Sequence, residues 1–222
     1  MKKNLIILVL ALVLISLGSF AVTGEDTQTK SAVMIIAWRG FNEMEYSRPR
    51  EILENGCVSI TVAGRKVGEA VSDSQIRRYT AQVELPLEEV DVSKYDAVIF
   101  IGGTGASRLF KNEQAHRIAQ EAAESGLILA AICSAPVILS NAGVLEGHSA
   151  TVYHLTEPEN LPALKAGGAI YVNESVVISQ LTDDGEIIIT ASGGWPATCR
   201  LFAEAILEAL GLSEEEGEQG SS

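Results

Sequence analysis

Residues 127–143 read LILAAICSAPVILSNAG: six apolar residues that pass, without a polar spacer, into a short helical segment beginning at Pro136. An unbroken apolar run of strand length is the pattern of a strand covered on both faces. Pro136 suits the first turn of a helix, where its missing N–H leaves nothing unpaired. The residue at the corner between strand and helix is Cys133. A side chain held there projects above the sheet, and the helix behind it directs its positive end and free N–H groups at the sulfur, an arrangement expected to lower the thiol pKa. Ala131, Ser134 and Ala135 are small enough for a tight turn of the nucleophile-elbow kind. A structural cysteine beside a helix start is the plainer alternative, and these residues by themselves leave both open.

Outward from this stretch, apolar runs of strand length alternate with helix-length amphipathic runs. Strands are expected at 32–38, 57–63, 96–101 and 127–132, with helices at 43–55, ended by Gly56, and at 113–125, capped by Gly126. Residues 65–85 form a hairpin-like excursion. Beyond Cys133 come a helix at 136–141, strands at 150–154, 169–172, 176–180 and 186–191, and a closing helix at 196–210. This order predicts an α/β fold: a doubly wound, mostly parallel sheet flanked by helices, with an antiparallel supplement. In such sheets ligands bind at the carboxyl ends of the strands.

The chain has 222 residues, 47% of them hydrophobic, enough for one full core, and residues 31–212 are expected to form that single domain. A net charge of −13 repels nucleic acid and anionic lipid surfaces alike. Lys2 and Lys3, the apolar run at 5–22 and the small-x-small pattern Ser19-Phe20-Ala21 make residues 1–22 an expected export signal or, if uncleaved, a membrane anchor. Either places the domain outside the cytoplasm, with 23–30 as a linker and 213–222 as a solvated acidic tail. The membrane would be touched only through that N-terminal segment. Three cysteines exclude a complete disulfide framework, and Cys57 and Cys199 are expected to be buried as small core residues. Of three histidines, His116 and His148 read as exposed residues without a task. The histidines and cysteines do not assemble into a known ligand spacing, so neither metal nor cofactor is expected.

AAICSAP at 130–136, preceded by DAVIFIGGTGA at 96–106 and GFNEMEYSRPREIL at 40–53, resembles the ThiJ/PfpI superfamily, whose fold is of the class I glutamine amidotransferase type. The resemblance runs over nearly all of residues 32–210. It implies a nucleophile at Cys133 and a partner carboxylate at Glu45, which should hold its proton and donate it toward the thiolate because two adjacent buried negative charges are costly. It further implies an oxyanion hole from Gly102 and Gly103 with the amide of Ser134, and a proton shuttle at His154. Arg78, next to Arg77 in the excursion, and Trp195, in the loop 193–199 that matches a Gly/Pro-rich loop beside the cysteine in relatives, are candidates for substrate contact; solvation of the arginines and core packing of the last helix by Trp195 are the plainer alternatives. Ser134 stands where PfpI-type peptidases carry histidine, and no histidine follows His154 where glutamine amidotransferases need one. The expectation is therefore a cofactor-independent cysteine enzyme acting on small reactive carbonyls, in the manner of glyoxalases and deglycases. The alternatives are a redox protein acting through oxidation of Cys133 and a cysteine hydrolase of amide or related bonds. The resemblance also implies a homodimer.

Overall fold

The computed structural model describes residues 29–74, 76, 78–183 and 185–212. Its strands are Ser31–Ile35 (β1), Arg39–Phe41 (β2), Ser59–Gly64 (β3), Gly68–Ser72 (β4), Thr80–Val83 (β5), Leu85–Pro86 (β6), Ala97–Phe100 (β7), Ile128–Ile132 (β8), Ser149–Ala150 (β9), Ile170–Tyr171 (β10), Val176–Ser179 (β11) and Ile188–Ala191 (β12). Its α-helices are Glu43–Asn55 (α1), Glu113–Glu124 (α2), Pro136–Asn141 (α3), Asn160–Ala166 (α4) and Pro196–Ala209 (α5).

Seven strands form the main sheet in the order β11-β12-β8-β7-β1-β3-β6. All pair in parallel except β11, which lies antiparallel on β12. Successive side chains of the central strands enter opposite cores. Val33, Ile35, Val98, Phe100, Leu129 and Ala131 pack with α2, α3 and α4 on one face. Met34, Ile99, Ala130 and Ile132 pack with α1 and α5 on the other. Two buried faces are the reason these strands read as continuous apolar runs; each large side chain so buried contributes about 1.5–3 kcal/mol of transfer free energy. The excursion becomes a separate sheet, β2-β4-β5, and β9 pairs with β10 in a third.

The second strand begins two residues later than its apolar run, at Ser59. Cys57 and Val58 are consumed in ending α1: the Val58 amide donates to Leu53 O at 2.9 Å and the Cys57 amide to Glu54 O at 3.1 Å. This is a Schellman stop with Cys57 in the left-handed position, at φ +62°, and it leaves the cysteine exposed rather than in the core. Gly56 keeps an ordinary φ of −80°; its lack of a side chain instead admits Leu207 of α5, whose Cδ2 lies 2.6 Å from where a Cβ would stand. Cys199 is fully buried, as expected.

Two further expectations change. The strand at 150–154 shortens to Ser149–Ala150, so His154 lies in a loop. His148 is not exposed but 1% accessible: its Nδ1 lies 3.1 Å from Ser179 Oγ and its Nε2 3.2 Å from Glu186 Oε1. His116 is half-buried, with Nε2 2.9 Å from Phe110 O. The expected export segment lies outside the described residues, as does the acidic tail. Among the described residues no helix is long and apolar enough to cross a membrane.

Candidate active site

Four chain segments meet at the carboxyl ends of β1, β7, β8 and β12. Cys133 leaves β8 at φ +66°, one of two non-glycine residues described with positive φ. Its backbone is fixed on both sides: its amide donates to Ala191 O at 2.8 Å, and its carbonyl accepts from Tyr153 N at 2.9 Å. A left-handed backbone at a residue with a side chain costs about 1–2 kcal/mol; here the flanking strand bonds hold it and the thiol is carried above the sheet edge, 7% accessible.

Glu45 arrives from α1. Asn42 caps that helix, its Oδ1 accepting from the amides of Met44 at 3.0 Å and Glu45 at 3.2 Å, while its own amide donates to Gly102 O at 3.0 Å. The cap thus ties the start of the helix to the glycine loop after β7. A glutamate three residues after a cap often folds back onto the cap's own N–H. That N–H is already taken by Gly102, and Glu45 turns inward, 1% accessible.

Two glycines let thiol and carboxyl share one space. A Cβ at Gly102 would sit 2.5 Å from Cys133 Cβ and 2.7 Å from Glu45 Oε2, and one at Gly193 would sit 2.5 Å from Cys133 Cβ and 2.8 Å from Glu45 Oε1. Gly102 therefore contributes room. The amides of Gly103 and Ser134 favour the charged form of the Cys133 sulfur, and Ser134 Oγ donates to Gly103 O at 3.3 Å, locking the elbow to the glycine loop. Glu45 Oε1 accepts from Gly194 N at 3.2 Å. Oε2 is buried without a conventional hydrogen-bond partner, although the Cys133 side chain is close enough to perturb its titration.

Burial pushes the Glu45 carboxyl up to about 7, against the opposing pull of Cys133 and the Gly194 amide; the nearby charges of Asp73 and Glu157 push the same way as burial. Burial, and then the charge of Glu45, push the Cys133 thiol well above its usual range, while the amides of Gly103 and Ser134 pull it down. This corrects the expectation that the following helix alone lowers the thiol pKa. That helix is only six residues long, and the dry pocket outweighs its dipole. The two acids titrate as a pair.

The model of the DJ-1/PfpI family matches residues 30–209. The chain belongs to the DJ-1/PfpI family. It is 30% identical over 219 residues to an uncharacterised protein of Methanocaldococcus jannaschii, an alignment covering 96% of this chain and all of that one. It is 32% identical to dj-1beta of Drosophila melanogaster, over 84% of this chain and 92% of the relative. A protein of Pyrococcus abyssi named as a deglycase is 32% identical over 66% of this chain and 84% of its own. Among solved structures, Drosophila DJ-1beta superposes with a TM-score of 0.69 at 30% identity, covering 84% of this chain and 92% of that one.

Within this DJ-1/PfpI domain the remaining candidate residues separate. His154 Nδ1 lies 3.1 Å from Val152 O. A carbonyl only accepts, so Nδ1 carries the proton and Nε2 keeps a free lone pair. The ring stands edge-on to Tyr171, with centroids 5.7 Å apart, and lines a pocket that also reaches Gly193 and Trp195. Trp195 is 64% accessible and is not core packing for α5. Arg78 is exposed, paired with Glu69 at 3.1 Å, and does not line that pocket. Arg77 lies outside the described residues. Sequence reasoning missed Asn42 as the residue that delivers Glu45, although the N-x-x-E spacing was there to be read. The resemblance set the loop 193–199 beside the cysteine, and the structure adds that Gly193 and Gly194 are the residues of that loop that meet the pair.

Proposed function

We propose that the chain is a cofactor-independent cysteine enzyme acting on small 2-oxoaldehydes such as methylglyoxal, or on their adducts, with Cys133 as the nucleophile. One observation carries this: Cys133 and Glu45 face one another across Gly102 and Gly193 in a pocket too tight for any other side chain. The deglycase names of archaeal relatives support the same substrate class.

The pair sheds one proton near 7 and retains the other far into the alkaline range. Two amides serve the sulfur and one serves the carboxyl, while Oε2 has nothing to accept from. A buried acceptor without a donor is costly, whereas the same oxygen as O–H gains the sulfur as its acceptor. The retained proton therefore sits on Glu45 and the charge on Cys133. The thiolate adds to the aldehyde carbon: a C–S bond forms, and the carbonyl pair moves to oxygen, beside the Gly103 and Ser134 amides, and takes up a proton. His154 Nε2 removes the proton from that carbon and returns it to the neighbouring ketone carbon, oxidising the first to a thioester and reducing the second to an alcohol without an external oxidant. Water then cleaves the C–S bond, releasing a 2-hydroxy acid and the free thiol.

The test is turnover of methylglyoxal followed by formation of lactate. Cys133→Ala should abolish it, and His154→Ala should lower kcat by roughly 10²-fold, the usual share of a positioned acid–base group. Wild-type protein that forms no lactate, or a Cys133→Ala variant that forms it as fast, overturns the proposal.

A further inference from the structure

Gly193 has two sides. One abuts Cys133, whose Cβ and Cα lie 2.5 and 2.8 Å from where a Gly193 Cβ would be. The other lines a cavity of about 380 Å³ walled by Tyr153, His154, Leu155, Tyr171 and Trp195. The cavity thus starts one residue from the nucleophile. Its position is fixed by the same backbone, since Tyr153 N donates to Cys133 O at 2.9 Å.

The walls say what belongs inside. Three aromatic rings and an imidazole surround the space, and Trp195 and Leu155, 64% and 70% accessible, hold apolar surface in water at its rim. Exposed apolar side chains gathered around a concavity mark a surface kept for a ligand. Besides Thr151, Asn173, Ser175 and Ser192, the lining includes Glu174 and neither lysine nor arginine; Lys165 reaches the Tyr171 ring, its Nζ 5.7 Å from the centroid, but no cation stands on the cavity wall itself. Flat apolar groups stack on such rings in offset or edge-on fashion.

Resting on the assignment of Cys133 as a carbonyl-directed nucleophile, we propose that this cavity receives the substituent of the substrate, and that it is built for a flat, uncharged aromatic group. The preferred substrate is then an arylglyoxal-type 2-oxoaldehyde rather than methylglyoxal, whose methyl group is too short to use these walls. Trp195 and Leu155 set that preference.

The experiment compares kcat/KM for phenylglyoxal and methylglyoxal in wild type, Trp195→Ala and Leu155→Ser, with thermal melting to confirm that each variant folds. Wild type should favour phenylglyoxal at least tenfold, and Trp195→Ala should collapse that ratio by about tenfold, Leu155→Ser by less. Equal use of both compounds, or a ratio that neither variant changes, overturns the inference while leaving the proposed chemistry intact. If neither dicarbonyl is turned over, the proposed chemistry fails, and the cavity is judged by saturation-transfer NMR with acetophenone, an unreactive aryl ketone. Transfer that disappears in Trp195→Ala upholds an aromatic site; no transfer to wild type rejects it.

Discussion

Gly193 stands where the site has no room for a side chain. An added methyl group would meet Cys133 Cβ at 2.5 Å and Glu45 Oε1 at 2.8 Å, on a backbone at φ +69° that already disfavours alanine. Gly193→Ala should destabilise the fold by about 1–3 kcal/mol through overpacking and strain, and should slow alkylation of Cys133 by on the order of 10²-fold because the thiol must move. Urea unfolding and mass-resolved alkylation measure the two effects; unchanged alkylation would show that Cys133 and Glu45 do not share this space. At this scale Cys133 was legible because strand, corner and helix are adjacent in the chain. Glu45 was not legible from local pattern, since a glutamate three residues after an asparagine looks the same whether it caps its own helix or faces a thiol 88 positions later. The difference lies in Gly102 O, which occupies the Asn42 N–H and is remote in sequence. His154 was legible as a candidate, but its tautomer depends on the Val152 carbonyl and on the loop that replaces the expected strand.

Among the elements, the end of α1 shows where local rules and packing part company. Glycine after a helix normally takes the left-handed position, and that habit placed the stop at Gly56. The structure gives Gly56 to Leu207 and forces Cys57 into the left-handed position. Cys57→Gly should therefore stabilise the protein by roughly 0.5–1 kcal/mol, the backbone relief exceeding the entropy glycine loses on folding. A shift of the urea midpoint upward at constant slope would show it; a downward shift would mean that the cysteine side chain makes a contact worth more than the strain. The long elements were readable to within a few residues, because α1, α2 and α5 carry helical periodicity and β1, β7 and β8 are buried on both faces. The short helix α4 was not, since Pro162 sits in its first turn and breaks the pattern that seven residues are too few to restore. The three-residue strand β2 was lost for the same want of length.

For the whole molecule, the two-faced sheet dictates where charge can be stored. Among the described residues its carboxyl edge is the one place where a carboxyl and a thiol are buried side by side, and stability should record this. The folded pair sheds its first proton near 7, whereas an unfolded glutamate sheds its own at 4.5, so between those values the folded protein holds a proton that the unfolded chain has released. Stability from this group is complete below about pH 4.5 and is lost as pH rises toward 7, by on the order of 3 kcal/mol. Glu45→Gln removes the extra proton that the folded pair holds in this range, so wild type should lose about that much relative to the variant between pH 4.5 and 7.5 in urea unfolding, and parallel pH profiles would contradict it. Doubly wound architecture and the sheet edge that carries the site were legible in the alternation of runs. That Glu45 and Cys133 would be buried together at that edge, between the glycine loops, was not, because burial is a property of the assembled fold.

The central claim is that the proton retained by the pair sits on Glu45 and the charge on Cys133. Mass-resolved alkylation of Cys133 as a function of pH, in wild type, Glu45→Gln and Glu45→Leu, tests it by sign. If Glu45 donates its proton to the sulfur, wild type should become reactive as the pair sheds its first proton, glutamine should stay close to it through its own N–H donor, and leucine should move the midpoint upward by at least one unit. If Glu45 is instead the ionised partner that repels a thiolate, wild type will stay unreactive into the strongly alkaline range and leucine will move the midpoint downward, and the account of the site will be wrong.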